Sequence, residues 1–415
     1  MKKNKLSFIA LRNIIVITLV FVLGAMIGTR YGNKFSFIDR ETRKIEFKVT
    51  NLEAPKEREN VDFSQFWEVW GILANDFIDQ EKVDDEKMVD GAISGMTAAL
   101  GDPYTMYLPP EDDKRAAESL AGAFYGVGIE LGYIDRTVAV VAPLKGMPAE
   151  QAGVKSGDLI VGIIDKAKDL DEDTSQWTLN DAVNNIRGER GTTVTLKLLR
   201  PEESLEVFNV DIVRDQIVIP SVELSFVEDN GKKVAHITLS RFGERTNAEW
   251  EETVQSILAQ QNSLSGIILD MRNNPGGFFD GAIDISSEFI DNDVVVSQQG
   301  KYINQVYKTN GVPRLKDIPL TVLVNRGSAS ASEIVAGALR DDLGIKLIGE
   351  KTFGKGTVQD RRELSGGGGL HVTVAKWVLP SGSWIHKEGL PVDVEVSDDS
   401  ETDADEVVLK AIEVL

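Results

Sequence analysis

Three serines spaced two apart, Ser328, Ser330 and Ser332, lie in the segment Val322–Asp341. An apolar strand pattern ends there at Asn325, a turn of small residues follows, and a helical pattern begins. A serine at such a strand-to-helix corner can present its hydroxyl as a nucleophile, and the nearby backbone N–H groups can receive an oxyanion. The same spelling has a plainer meaning, because Ser330-x-x-Glu333 is a helix capping box. A nucleophilic serine needs a base. Lys355 lies between Gly354 and Gly356, where the backbone can approach a neighbour closely, and it can serve if burial lowers its pKa by several units. Gln359, four residues on, can hydrogen-bond that amine and orient it. A third segment, Leu269–Phe278, runs from a strand into Asn-Pro-Gly-Gly, whose exposed N–H groups would complete an oxyanion hole with the N–H of Ala331. Read alone, the second segment is equally a glycine-rich hairpin with a solvated lysine, and the third a tight turn.

Histidine is the commoner base, but the chain has 3 histidines in all. His236 and His371 fall in β-like runs and His386 in a loop beside Trp384, none within a recognisable motif. A Ser-His-Asp hydrolase would also want Gly-x-Ser-x-Gly, and here Ser328 and Ser332 flank Ser330 instead.

The elements that must position these groups form a mixed α/β pattern from Val210 onward. Val234–Leu239, Gly266–Leu269, Leu320–Val324 and Ile345–Gly349 read as strands, and Ala248–Gln260 and Ser332–Arg340 as helices. From Val61 to about Ala121 the spacing of Phe63, Phe66, Trp70, Leu73 and Phe77 predicts helix, with turns at Gly101-Asp102-Pro103 and Pro109-Pro110. Between Tyr125 and Pro201 the pattern is short β segments (Val138–Val141, Thr193–Leu199) with two short helices, Pro148–Gly153 and Leu179–Ile186. The acidic residues Asp169, Asp171, Glu172 and Asp173 read as a solvated excursion, and Asp398–Asp405 as an exposed acidic stretch before the apolar end Val407–Leu415.

The chain has 415 residues and a net charge of −21, with no cysteine. Disulfides, zinc ribbons and thiol nucleophiles are excluded, and the acidic balance argues against a nucleic-acid footprint. Ten Lys/Arg against three acids give residues 1–50 a charge of +7, which leaves −28 on the remainder. The apolar stretch across residues 6–28, interrupted by Arg12 and preceded by Lys2, Lys3 and Lys5, predicts a membrane anchor with its tip in the cytoplasm. No Ala-x-Ala follows it, which favours an uncleaved anchor over a signal peptide.

Together the segments resemble the carboxy-terminal processing, or tail-specific, proteases. The resemblance is carried by Gly-Ser-Ala-Ser-Ala-Ser-Glu-Ile, Gly-Lys-Gly-Thr-Val-Gln, Leu-Asp-Met-Arg-Asn-Asn-Pro-Gly-Gly, Ala98-Ala-Leu-Gly-Asp-Pro-Tyr-Thr105 and Arg187-Gly-Glu-Arg-Gly-Thr192, in that family's order and spacing from about Phe63 to Val396. In the family a lysine follows the catalytic serine by 25 residues and a glutamine follows the lysine by four, which picks out Ser330, Lys355 and Gln359. The resemblance implies an oxyanion hole from Gly276 and Ala331, a PDZ domain whose Gly126-Val127-Gly128-Ile129 loop binds a peptide's terminal carboxylate, and Arg187 coupling that domain to the active site. It further implies no cofactor or metal, substrates that are C-terminal tails of exported or misfolded proteins, and dimerising relatives. The expected fold is multidomain α/β: anchor 1–35, tether and helical segment 36–120, inserted PDZ domain 121–205, mixed α/β protease core of the ClpP/crotonase-like type 206–397, and acidic tail 398–415. The catalytic part is expected outside the cytoplasmic membrane. A non-catalytic PDZ scaffold is the rival reading.

Overall fold

The structure is a computed structural model that describes residues 61–397 and 404–415. The expected anchor at residues 6–28 and most of the acidic stretch 398–405 lie outside the described residues. Among the described residues, no helix is long and apolar enough to cross a membrane. The chain divides into two units, Met1–Val83 and Asp84–Leu415.

In the first unit the helix Ser64–Asp76 carries an aromatic cluster in which the rings of Phe66 and Trp67 meet edge-on at 4.9 Å. Its buried residues are Trp70 and Ala74.

The second unit holds a β-rich module and a mixed α/β core. In the module, strands Ile129–Ile134, Thr137–Pro143, Leu159–Asp165, Thr193–Leu199 and Val207–Val213 follow one another across an antiparallel sheet. Helices Pro148–Gln151 and Leu179–Ile186 accompany them. The acidic run is no loop excursion. Leu170–Asp173 is a strand paired with Leu159–Asp165, because its acidic side chains face solvent while the backbone continues the sheet. The module is inserted through a two-stranded neck, where Ala123–Gly126 pairs with Asp215–Val218.

The core is built on a six-stranded sheet in the order Val222–Asp229, Lys232–Leu239, Gly266–Asp270, Leu320–Val324, Leu347–Gly349 and Val394–Glu395, parallel after the first hairpin. Successive side chains point to opposite faces, so each central strand feeds two clusters. Ile267, Leu269, Val322 and Val324 join the cluster that contains helices Thr246–Leu258, Phe279–Ser287 and Ala331–Leu343. Ile268 and Leu323 join the cluster formed with Val407, Val408, Ala411 and Ile412 of the helix Glu406–Val414, so the apolar C-terminal end packs on the core. A second sheet brings Thr357–Glu363, Gly369–Val378, Val294–Gly300 and Asn304–Lys308 together with Met106–Leu108. That last strand replaces part of the stretch expected to be helix. Its three residues are held by pairing with Gly369–Val378, a contact that no local pattern announces. Pro109-Pro110 opens the helix Pro110–Ala121, since proline suits a first helical position.

Candidate active site

The parallel strands Gly266–Asp270 and Leu320–Val324 end side by side, and their C-terminal loops form the floor of a cleft of about 760 Å³. The cleft is lined by Ser330, Ala331, Lys355, Gln359, Gly276 and Gly277 among others. The two loops are laced together: the Asn273 N–H donates to Asn325 Oδ1 at 2.8 Å, Asn325 Nδ2 to Asn273 Oδ1 at 3.0 Å, and the Ala329 N–H to the Asn274 carbonyl at 2.9 Å.

The three serines have different surroundings. Ser328 and Ser332 are fully buried. Their hydroxyls donate to the Met271 carbonyl at 2.7 Å and the Ala329 and Asn274 carbonyls at 2.8 and 2.9 Å. Ser330 faces the cleft with φ 58° and ψ −115°, a left-handed backbone that costs a non-glycine residue about 1–3 kcal/mol. This is the sharp turn that throws a side chain off the end of a strand and onto the start of a helix. Ala331 opens the helix, so its N–H has no partner within it.

Gly276 lies beside Ser330 and Ala331. Its N–H donates to Asn274 Oδ1 at 2.9 Å, so this donor is already engaged. The Gly276 carbonyl accepts from the Phe242 N–H at 2.9 Å. A trans peptide puts the following N–H on the opposite side, so the Gly277 N–H points away from Phe242, and Gly277 is exposed in the cleft. Phe242 thus leaves the Gly277 N–H unengaged. Gly276 matters for its missing side chain: a Cβ there would lie 2.8 Å from Ser330 Cβ and 3.0 Å from the Ala331 nitrogen.

Lys355 is held through its backbone. Its N–H donates to Glu333 Oε2 at 2.9 Å and its carbonyl accepts from Trp377 Nε1 at 3.0 Å. Burial pushes the amine below its ordinary pKa, against the opposing pull of Glu333 and Asp102. Gln359 Nε2 donates to Thr357 Oγ1 at 2.9 Å and Thr373 Oγ1 at 3.2 Å, which leaves the amide oxygen as the end able to accept from an amine.

Glu333, read from the sequence only as half of a capping box, has a wider part. Its fully buried carboxylate accepts from the Ser330 N–H at 2.8 Å, the Lys355 N–H at 2.9 Å, the Gly354 N–H at 2.7 Å and Thr352 Oγ1 at 2.6 Å. One side chain thus ties the backbone of Ser330 to that of Lys355. Burial raises its pKa, and the four hydrogen bonds oppose that rise.

The histidines are placed differently. His236 Nε2 lies 3.1 Å from Asp270 Oδ2 on the central sheet, and His386 stacks on Trp384 at 5.0 Å. His371 lines the cleft, and burial lowers its pKa. Replacing each in turn by Asn is expected to leave acylation of Ser330 largely intact, as read by covalent labelling with a serine-directed phosphonate.

Gly126, Val127, Gly128 and Ile129 are not part of this cleft. They form the corner after the neck, where the Gly128 carbonyl accepts from the Leu144 N–H at 3.0 Å and Gly128 has φ 75°. Arg187, at the end of helix Leu179–Ile186, lays its guanidinium 3.9 Å from the Phe124 ring centroid and 4.0 Å from Glu118.

The chain is 37% identical over 355 residues to the "probable CtpA-like serine protease" of Staphylococcus aureus strain MSSA476, covering 85% of this chain and 68% of that protein. It belongs to the carboxy-terminal processing protease family. To the carboxy-terminal processing protease CtpA of Bacillus subtilis it is 38% identical over 323 residues, 76% of this chain and 65% of that one. The chain thus spans just under two thirds of that relative's length. Residues 233–396 match the model of peptidase family S41, residues 117–199 that of the PDZ domain, and residues 21–112 that of the activating protease CtpB N-terminal domain. The β-rich inserted module of this family member is therefore its PDZ domain. Among solved structures, the "Putative S41 protease" from Bacteroides fragilis shares the fold with a TM-score of 0.55 at 15% identity, covering 87% of this chain and 98% of that one.

Proposed function

We propose that this chain is a serine endopeptidase that cleaves near the C-terminal tails of exported or misfolded proteins with a Ser330/Lys355 dyad. The observation that supports the reading is the cleft lined together by a left-handed Ser330, by Ala331 and Gly277 with their N–H groups, and by a Lys355 that burial drives below its ordinary pKa. Neutral Lys355, oriented by Gln359, takes the Ser330 proton as Oγ attacks the scissile carbonyl. The two N–H groups receive the oxyanion, and the protonated amine returns its proton to the leaving nitrogen. Water, deprotonated by the same lysine, then hydrolyses the acyl-enzyme. None of these steps requires a cofactor.

The Gly126–Ile129 corner would bind the tail's free carboxylate through successive N–H groups while the tail adds as a strand, with Arg187 relaying occupancy to the core. The core would be of the ClpP/crotonase-like type. Residues 6–28 would anchor the protein in the cytoplasmic membrane with the catalytic part outside, and the chain would assemble as a homo-oligomer. A non-catalytic scaffold would have no use for a strained serine beside a dehydrated lysine.

The deciding assay is digestion of an unfolded exported protein by wild type beside Ser330→Ala, with cleavage expected from wild type alone. The tail requirement has its own test. Amidating a peptide's C-terminus should raise KM about tenfold or more, since a charge-assisted contact worth about 1.5–3 kcal/mol is lost. Equal cleavage of free and amidated peptides would remove the PDZ role.

A further inference from the structure

The segment Gly101-Asp102-Pro103-Tyr104-Thr105 takes no part in the dyad, yet the fold brings it against the dyad's base. The Tyr104 ring lies over Lys355, with Nζ 5.3 Å from the ring centroid. Asp102 accepts from the Tyr104 N–H at 3.1 Å and from Thr105 Oγ1 at 2.7 Å, closing the loop on itself. Thr105 Oγ1 in turn accepts from the Thr373 N–H at 3.1 Å. The Thr373 hydroxyl accepts from Gln359 Nε2 at 3.2 Å. A continuous chain of hydrogen bonds therefore runs from the loop to the side chain that orients the amine, and an aromatic face covers the amine itself.

From this geometry, and resting on the Ser330/Lys355 reading, we infer that the 101–105 loop is a positioning element for the general base: Tyr104 keeps water off Lys355, and Asp102 with Thr105 holds Thr373 and Gln359 in register with it.

Two opposed effects of the ring must be weighed. A ring face attracts an ammonium, which favours the protonated form. The same ring excludes water, and full burial depresses a lysine by about 3–5 units, a larger effect in the other direction. Water exclusion wins, in keeping with the lowered pKa of Lys355. The charged and titratable groups around the amine are Glu333 from helix Ala331–Leu343, Asp102 and Tyr104 from the loop, His371 from strand Gly369–Val378 and His386 beyond it. Arg361 and Arg241 line the same cleft. Asp102 stays ionised: burial raises its pKa, but the hydrogen bonds from Thr373, Thr105 and Tyr104 outweigh that and hold it below the ordinary value.

The test is the pH dependence of kcat/KM on a free-tailed peptide, measured on the full chain for wild type, Tyr104→Phe, Tyr104→Ala and Tyr104→Gln. Tyr104→Phe keeps the ring and should keep the acid limb in place. Tyr104→Ala and Tyr104→Gln admit water, and should move the acid limb about one unit to higher pH, an approximately tenfold loss on the acid side that recovers on the alkaline side. Tyr104→Gln preserves bulk and carries the same reading if the alanine variant does not fold. A folded Tyr104→Ala or Tyr104→Gln with the acid limb at its wild-type position would overturn the inference, whatever its kcat. Should Lys355→Ala prove active, the dyad itself fails. An inert Lys355→Ala with an unmoved limb in the Tyr104 variants sinks this inference alone.

Discussion

Lys355→Met and Ser330→Ala should each lower kcat/KM for a tail peptide by about four orders of magnitude, and the double variant should lose little more. Members of a nucleophile–base pair act as a unit, so removing either removes the shared step. Any remaining cleavage would come from the Ala331 and Gly277 donors and from substrate binding. The activity of the wild type should climb with pH through the folded pKa of Lys355, because only the neutral amine accepts the serine proton. Stability is expected to rise with pH in the same sense as activity. A lysine whose folded pKa lies below its unfolded value destabilises the fold fully below the folded pKa, and that cost fades as pH rises toward the unfolded value. Burial places Lys355 in this class. Lys355→Met, with a similar volume and no charge to desolvate, should thus unfold no earlier than wild type at neutral pH in a urea titration. A stable variant without activity marks Lys355 as a group kept for chemistry. Full activity in Lys355→Met would contradict the mechanism.

Glu333→Ala should be the most destabilising single change near the site, by about 3–5 kcal/mol. It removes a fully buried acceptor and strands the donors of Ser330, Lys355, Gly354 and Thr352. Four donors on two oxygens is the arrangement of an ionised carboxylate, which has about four acceptor positions. Glu333→Gln separates charge from shape. It keeps one oxygen, so its loss of stability should be smaller. It also removes the negative charge that raises the Lys355 pKa, so the acid limb of kcat/KM should move to lower pH. Urea midpoints and pH profiles of the two variants read these effects separately. An unchanged midpoint in Glu333→Ala, or a limb displaced upward in Glu333→Gln, would show that the carboxylate does not bridge serine and lysine as described.

Local spelling was enough to find most of the elements. Leu179–Ile186, Thr193–Leu199 and Leu320–Val324 occupy the spans their periodicity predicts. These are runs whose apolar residues fall on one period with turn residues at both ends. Strands that exist through their partners were invisible. Met106–Leu108 is three residues long, and Leu170–Asp173 carries an acidic spelling that reads as loop until its backbone is seen to extend a sheet. In the site, composition alone left Ser328, Ser330 and Ser332 level, and only the spacing shared with the carboxy-terminal processing proteases separated them. Gly276 and Gly277 were likewise adjacent and alike. The Gly276 N–H is spent on Asn274 and its carbonyl on Phe242, more than thirty residues away, and Gly277 makes neither bond.

The sequence by itself determined what chemistry the chain has available. With no cysteine a thiol nucleophile is excluded, and small residues at a strand–helix corner let a serine turn outward. The tertiary structure decided which groups are free to act. Hydroxyls of Ser328 and Ser332 become structural because they meet carbonyls, Glu333 becomes a clamp because the 352–355 segment folds over it, and Lys355 loses its solvent because Tyr104 arrives from some 250 positions earlier in the chain. Hydrogen bonding and desolvation depend on what comes within about 3–6 Å, and in a folded chain those neighbours are set by packing between distant segments.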